Sequence, residues 1–166
     1  LFMKVLFLTE GGPLARLSPA SMLRVYQYLE YLEREGIVCT VLPSWPEKYF
    51  TSWSHPAMLR TRRPALWAGT LIMACKRLVD IARAGAFDVV VVQRELLPVH
   101  LPPLLEQLLR RVNRNIVFDF DDAIYAQHSA LGQKRNVLVR AVRKVFLDDE
   151  AVPKMIRMSK HVVAGN

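Results

Sequence analysis

The sequence predicts an α/β fold in which a mainly parallel sheet lies between two layers of helices. Short runs rich in aliphatic and β-branched residues alternate with longer segments of helical periodicity along the 166-residue chain. Residues 89–92 are consecutive valines, as is typical of a strand buried on both faces. This alternation favours parallel strands joined by right-handed crossovers, with helices on both faces of the sheet.

The strands and the first helix follow from local patterns. We expect strands over residues 4–8, 39–42, 89–92, 116–120 and 161–164. The first helix is expected to have Ser18 as its N-cap and Pro19 at its first position, and to end at Gly36. One face of this helix carries a set of apolar residues: Met22, Val25, Tyr26, Leu29 and Leu32.

Four more helices are predicted further along the chain. The longest covers residues 65–84, and one stripe along it is apolar: Leu71, Cys75, Leu78 and Ala82. Another begins near Pro103. A basic amphipathic helix is expected over residues 133–147, and a shorter helix over residues 152–158.

Composition restricts the class of protein. Hydrophobic residues make up 52% of the chain, which excludes a disordered protein. Cys39 and Cys75 show neither a CxxC pattern nor metal-ligand spacing, so we expect both to be core thiols of a reduced, cytoplasmic protein. The chain shows no signal peptide, and its best apolar stretch, residues 64–75, is too short to span a bilayer. The net charge of +8 suits either an anionic partner or a solvated basic surface.

Two loops at the carboxyl ends of predicted strands carry candidate ligand-binding residues. In a parallel α/β sheet, ligands bind beyond these ends. Gly11 and Gly12 follow the first strand, where glycines allow a ligand to approach the backbone closely. Arg94 and Glu95 follow the valine strand, and charged side chains there suit a polar ligand. An ordinary turn and a surface ion pair are the alternative interpretations.

An acidic cluster after the fourth strand is the strongest local signal for chemistry. Asp119, Asp121 and Asp122 place three carboxylates within four residues, and these repel one another unless a positive or hydrogen-bonding group lies nearby. On a strand, Asp119 and Asp121 would share a face. A purely structural role of aspartates as turn formers and helix caps remains open.

Stretches in these positions resemble the N-terminal domain of family 4 glycosyltransferases of the GT-B fold. The similarity extends over nearly the whole chain and is carried by MKVLFLTEGGP, the helix ending LEREGI, FDVVVVQRELLP, IVFDFDDAIY and SKHVVAGN. The resemblance implies that residues 3–166 are a Rossmann-like, acceptor-side domain, and that a C-terminal domain absent from this sequence makes most of the donor contacts. It implies a hexosyltransferase that uses a nucleotide sugar as substrate, without a cofactor or a metal.

The resemblance also implies roles for the candidate residues. Gly11 and Gly12 would lie near the donor diphosphate, and the loops that hold Arg94, Glu95 and Asp119 would line the acceptor side of the interdomain cleft. Many members of the family carry a histidine where this chain has its acidic cluster. The catalytic candidates here are therefore Asp121 and Asp122, and His128 is a further substrate-binding candidate.

Other partners and functions stay open at this point. A lipid-linked acceptor would bring the protein to the surface of an anionic membrane, whereas nucleic acid is not expected because the chain shows no RNA-binding or helix-turn-helix pattern. One alternative is a haloacid-dehalogenase-like phosphatase, with Asp119 as nucleophile and Asp121 as acid or base. A metal-dependent DxD glycosyltransferase of the other major fold and a non-enzymatic basic binding module are the remaining alternatives.

Overall fold

The chain forms a five-stranded, all-parallel sheet flanked by helices. A computed structural model describes residues 2–12, 19–44, 63–97, 103–120 and 151–165. The strands are β1 Met3–Thr9, β2 Ile37–Pro43, β3 Val89–Gln93, β4 Ile116–Phe120 and β5 His161–Ala164. Their order across the sheet is β2-β1-β3-β4-β5, and every neighbouring pair is parallel. This confirms the predicted α/β, Rossmann-like three-layer fold.

Alternating side chains of β1 show where the two cores lie. Leu6 and Leu8 belong to one buried cluster together with Ile81, Leu109 and Val152, which come from the helices that follow β2, β3 and β4. Val5 and Phe7 point to the opposite face, where they pack in a second cluster with Val25 and its neighbours. Both faces of the central strands are therefore covered, as the continuous apolar runs indicate.

The predicted first helix is broken into three parts. The chain forms helix α1 over Pro19–Arg24, a 3-10 turn over Tyr26–Tyr28 and helix α2 over Leu29–Arg34. The start at Pro19 and the end before Gly36, which has a φ of 78°, agree with the prediction. The interruption leaves Val25 buried while it brings the Tyr26 hydroxyl near the loop after β1, and the apolar periodicity alone did not reveal it.

The remaining described helices follow the predicted order. They are α3 Arg63–Arg83, which ends in a 3-10 turn at Ala84–Ala86, α4 Leu104–Val112 and α5 Ala151–Met158. The predicted basic helix over residues 133–147 lies outside the described residues.

The apolar stripe identified on α3 faces away from the sheet. Leu71 is 66% exposed and Leu78 is 44% exposed, whereas Met73, Arg77 and Ile81, on the other side of the helix, are buried. The helix therefore presents an arginine to the core and leucines to the surface, the reverse of the usual arrangement. Cys75 lies on the outward side and is exposed, so the expectation that both cysteines are core thiols is wrong for Cys75. Cys39 is half-buried.

Candidate functional site

The strand order places a topological switch point at one position along the carboxyl edge of the sheet. From β1 the chain crosses to β2 on one side, and from β2 it crosses back to β3 on the other side of β1. Connections that leave neighbouring strands in opposite directions open a space between them, and ligands of such sheets bind there. In this chain the switch point lies between the ends of β1 and β3, next to β4, and we call the region beyond these strand ends the switch-point crevice.

Five of the predicted site residues lie along this edge. The buried Gly11 and Gly12 come after β1, separated from it by Glu10. Arg94 and Glu95 follow β3, and Asp119 is the penultimate residue of β4. The other three predicted residues, Asp121, Asp122 and His128, lie outside the described part of the chain.

The loop after β1 is held from the helical side. The Gly11 amide donates to the Ser21 hydroxyl at 3.4 Å, while the Tyr26 hydroxyl lies 3.4 Å from the Gly11 carbonyl oxygen. The Thr9 hydroxyl donates to the same carbonyl at 3.0 Å. These contacts fix the glycine loop against α1 and the 3-10 turn. Sequence reasoning selected the glycines but missed the side chains that hold them.

Asp119 is paired with an arginine that the sequence did not single out. The Arg24 Nε lies 3.0 and 2.9 Å from the two carboxylate oxygens of Asp119, and the Arg24 Nη2 also contacts the carboxylate. Asp119 is 6% exposed, so the pair is largely shielded from water. A bidentate arginine–carboxylate pair fixes both side chains, and here it ties α1 to the end of β4.

Arg94 forms an ion pair across the end of the sheet with the residue that follows β1. Its Nη1 lies 3.3 Å from the Glu10 Oε2, and its backbone amide donates to the Asp119 carbonyl at 2.7 Å. Arg94 has a φ of 61°, in the left-handed region that a residue with a β-carbon rarely adopts. Such backbone strain is concentrated at functional sites in proteins.

Gln93 leaves one polar atom of its carboxamide without a partner. Its Oε1 accepts a 2.7 Å hydrogen bond from the Ser21 hydroxyl, whereas its buried Nε2 has no hydrogen-bond partner among the described residues. If the amide were turned around, Ser21 would accept from Nε2 and Oε1 would have no partner instead. A buried polar atom in this state costs about 1–3 kcal/mol. The sequence feature that could have identified Gln93 as a site residue is its position directly after four valines.

Arg77 links the segments that meet at this carboxyl edge of the sheet. This fully buried side chain donates to three backbone carbonyls at the ends of neighbouring segments: Thr9 at 2.7 Å, Leu42 at 2.8 Å and Leu96 at 2.9 Å. It also contacts the Ser44 hydroxyl and forms an ion pair with Asp80 at 3.2 Å.

The charge of Arg77 is retained in spite of its burial. Burial lowers the pKa of Arg77 to about 10, an effect that Asp80 opposes, so the guanidinium is protonated at neutral pH. Lys76 pairs with the same Asp80 carboxylate at 2.9 Å from a half-exposed position. Arg77 was not predicted from the sequence, because a Lys-Arg pair in a helix usually lies at the surface.

Glu106 of α4 accepts a 3.3 Å hydrogen bond from the Leu96 amide, in the loop after β3. Burial raises the pKa of the Glu106 carboxyl, and the hydrogen bonds to it and the charge of Arg77 only partly oppose this effect. The folded state therefore holds this proton more tightly than the unfolded chain does.

We expect this difference to make stability depend on pH. As the pH rises above the ordinary pKa of a carboxyl group, the unfolded chain loses its proton first, so the free energy of unfolding falls. Glu106→Gln keeps an oxygen acceptor but has no proton to lose, so it should be more stable than wild type at neutral pH and should lose this advantage in acid. Denaturant unfolding over that pH range measures the effect, with Glu35→Gln as an exposed control. Parallel pH profiles for Glu106→Gln and wild type would contradict this assignment.

Two further properties concern the described residues alone. They contain no group of three or more histidine, cysteine, aspartate or glutamate side chains placed to hold a metal ion. No helix among them has both the length and the apolar character needed to cross a bilayer.

Comparison of the chain with protein-family models, with curated proteins and with solved structures found no match.

Proposed function

We propose that this chain is the acceptor-side domain of a glycosyltransferase, of the hexosyltransferase type, that transfers a sugar from a nucleotide sugar to an acceptor hydroxyl. The observation that supports it is the set of polar groups at the switch point, where Gln93 has a buried amide atom without a partner among the described residues and Arg94 has a strained backbone. A polar ligand at this edge would contact side chains from β1, β3 and β4 together.

In this proposal, different residues at the carboxyl edge of the sheet bind the donor and the acceptor. Gly11 and Gly12 leave room for the diphosphate of the donor, and Arg94, Glu95 and Asp119 border the acceptor, together with His128. Asp121 and Asp122 orient the acceptor hydroxyl. The bond between that oxygen and the sugar carbon forms as the bond from the carbon to the diphosphate breaks, and the proton passes to the departing phosphate or to a carboxylate.

The proposal extends to the partners of the domain. A second domain supplies most of the donor contacts, no cofactor or metal takes part, and nucleic acid is not a ligand. The protein acts in the cytoplasm, at an anionic membrane surface if the acceptor is lipid-linked.

The contacts of Asp119 weigh against the phosphatase alternative. A nucleophilic aspartate needs a carboxylate oxygen directed at the phosphorus atom. Arg24 binds both carboxylate oxygens of Asp119, and the Asp119 side chain is buried.

No contact of the described residues favours the basic binding module, and a gel-shift experiment at physiological salt would test it.

Arg94 provides an experiment that separates binding from folding. Arg94→Ala and Arg94→Gly both remove the guanidinium from the crevice, so we expect both to lower sugar transfer by the natural full-length chain to a similar extent. Only glycine relieves the left-handed strain, so Arg94→Gly should be more stable than Arg94→Ala by about 1–2 kcal/mol. Transfer assays and denaturant unfolding measure the two quantities.

The exposed Arg34, which pairs with Glu30 on α2, offers a control: Arg34→Ala should leave transfer unchanged. Wild-type transfer by both Arg94 variants would contradict a role of this residue in the crevice. Equal stability of the alanine and glycine variants would show that the backbone of Arg94 is not strained.

A further inference from the structure

The outward side of α3 is a continuous apolar surface. Leu71 and Ile72 are 66% and 69% exposed, and Leu78 and Val79 are 44% and 59% exposed. Cys75 and Ala82 are exposed between them. These six residues form what we call the outer stripe. Contiguous apolar patches of this kind mark interaction sites on proteins.

The charged side chains of α3 lie elsewhere. Arg77 and Asp80 are buried, and Lys76 is in an ion pair with Asp80 at the border of the stripe. Arg83 is the other charged residue in the part of α3 whose side chains are described, and it borders the same side of the stripe. A helix that faces water over its whole outer side normally carries its charges there. The outer stripe therefore has the composition of a buried helix face.

The spacing within the stripe is that of a helix-pairing seam. Leu71, Cys75, Leu78 and Ala82 follow one another at intervals of four, three and four residues, which is the pattern of the a and d positions of a heptad. A helix that lies on a membrane has a polar face rich in lysine and arginine opposite its apolar face. The opposite face of α3 is instead packed on the sheet, which favours another helix as the occupant.

The order of large and small residues in the seam is self-complementary. If two copies of α3 pair antiparallel about a twofold axis, Leu71 lies opposite Ala82 of the second copy, and Cys75 lies opposite Leu78 of the second copy. Each layer then combines one large and one small side chain, which fills space evenly. A parallel pair would place leucine on leucine and alanine on alanine, with crowded and empty layers alternating.

The charges agree with a pair of identical helices, and the size of the seam limits its strength. The twofold axis places Arg83 near residue 70 of the second copy, far from the second Arg83, so no like charges meet. The seam is roughly 18 Å long and about 10 Å wide. Such a contact is several-fold smaller than the about 800 Å² per partner of a standard interface, so the pair can be only weak.

From these observations we propose that α3 is a dimerisation helix, whose outer stripe packs antiparallel on the outer stripe of a second copy of this chain. The surface lies away from the switch-point crevice, so the inference is independent of the proposed activity. The dimer is weak, and its population depends on protein concentration.

Sedimentation equilibrium of the natural full-length chain over a range of concentrations tests the association. We expect a monomer–dimer equilibrium for wild type and for Tyr31→Glu, which places a charge at a 61% exposed site on the other face of the sheet. Leu71→Glu combined with Leu78→Glu should weaken association at least tenfold. Because both leucines are already exposed, the fold should persist, as circular dichroism can verify.

Cysteine cross-linking tests the antiparallel arrangement. In a Cys75→Ser background, Leu71→Cys with Ala82→Cys should give covalent dimers with a short bifunctional maleimide, whereas Leu71→Cys alone should give far fewer. Efficient cross-linking of Leu71→Cys alone would overturn the antiparallel pair. The same mass for wild type and the double glutamate variant at every concentration would overturn the interface. Loss of liposome binding in that variant, with no change in self-association, would identify lipid as the occupant and also overturn it.

Discussion

Arg77→Met is expected to lower the free energy of unfolding by about 3–5 kcal/mol, the usual cost of removing one partner of a buried ion pair. Methionine fills much of the space of the arginine stem, so the loss is mainly electrostatic. It leaves the carbonyl oxygens of Leu42 and Leu96 without the guanidinium that now binds them, and it leaves the buried Asp80 with Lys76 as its remaining cationic partner. Denaturant unfolding at neutral pH measures the difference.

Lys76→Met is the matched control for this experiment. Lys76 precedes Arg77 on the same helix and pairs with the same carboxylate, but its side chain is 38% exposed. Partly exposed pairs of this kind contribute about 0–1 kcal/mol. Similar losses in the two variants would contradict the view that Arg77 joins β1, β2 and the loop after β3 into one rigid edge.

Replacement of both Asp121 and Asp122 by asparagine is expected to lower sugar transfer by about 10²–10⁴-fold, the range that general acid–base groups contribute. A sugar hydroxyl is a poor nucleophile, and a carboxylate can accept its proton or hold it in line with the sugar carbon. Asparagine keeps the size of the side chain but cannot carry the charge. Of the two residues, Asp121 is expected to have the larger effect, because in the proposed function it takes the position of the histidine that many glycosyltransferases of this type carry.

Asp88→Asn is the control for the acidic cluster. Asp88 is exposed just before β3, at the opposite edge of the sheet, where it accepts a 2.7 Å hydrogen bond from the Lys4 amide. Its loss should leave transfer at the wild-type level. A loss of transfer in Asp88→Asn as large as that in the double variant would indicate a general effect of charge or stability.

The elements of this fold were predictable because each depends on local pattern. The valine run of β3 and the alternation of apolar strands with helices predict the parallel sheet, and the strand ends differ from the prediction by at most two residues. The orientation of α3 was not predictable in this way. Its buried charged residues include Arg77, which faces the sheet because three backbone carbonyls and Asp80 together compensate the burial of its guanidinium, and those carbonyls are distant in sequence.

The same holds for the candidate site: residues marked by a local sequence pattern were predicted, whereas a pairing between residues distant in sequence was not. Four residues were identified because each lies at or just beyond the carboxyl end of a strand: Gly11, Gly12, Arg94 and Asp119. Arg24 was missed because it lies on a helix, 95 residues before the carboxylate that it binds. Pairings at such a sequence separation depend on the strand order, which the sequence pattern leaves open.

Transfer of a radiolabelled sugar from nucleotide-sugar donors, followed in the natural full-length chain with saturating acceptor, tests the proposed function most directly. Carbohydrate and lipid extracts serve as acceptors in a first survey, and purified acceptor then replaces them. The account predicts a labelled glycoside formed by wild type and by Asp88→Asn, and its near-complete loss in the Asp121→Asn, Asp122→Asn double variant with the fold intact. Wild-type turnover in that double variant, or no transfer by wild type from any nucleotide sugar, would contradict it.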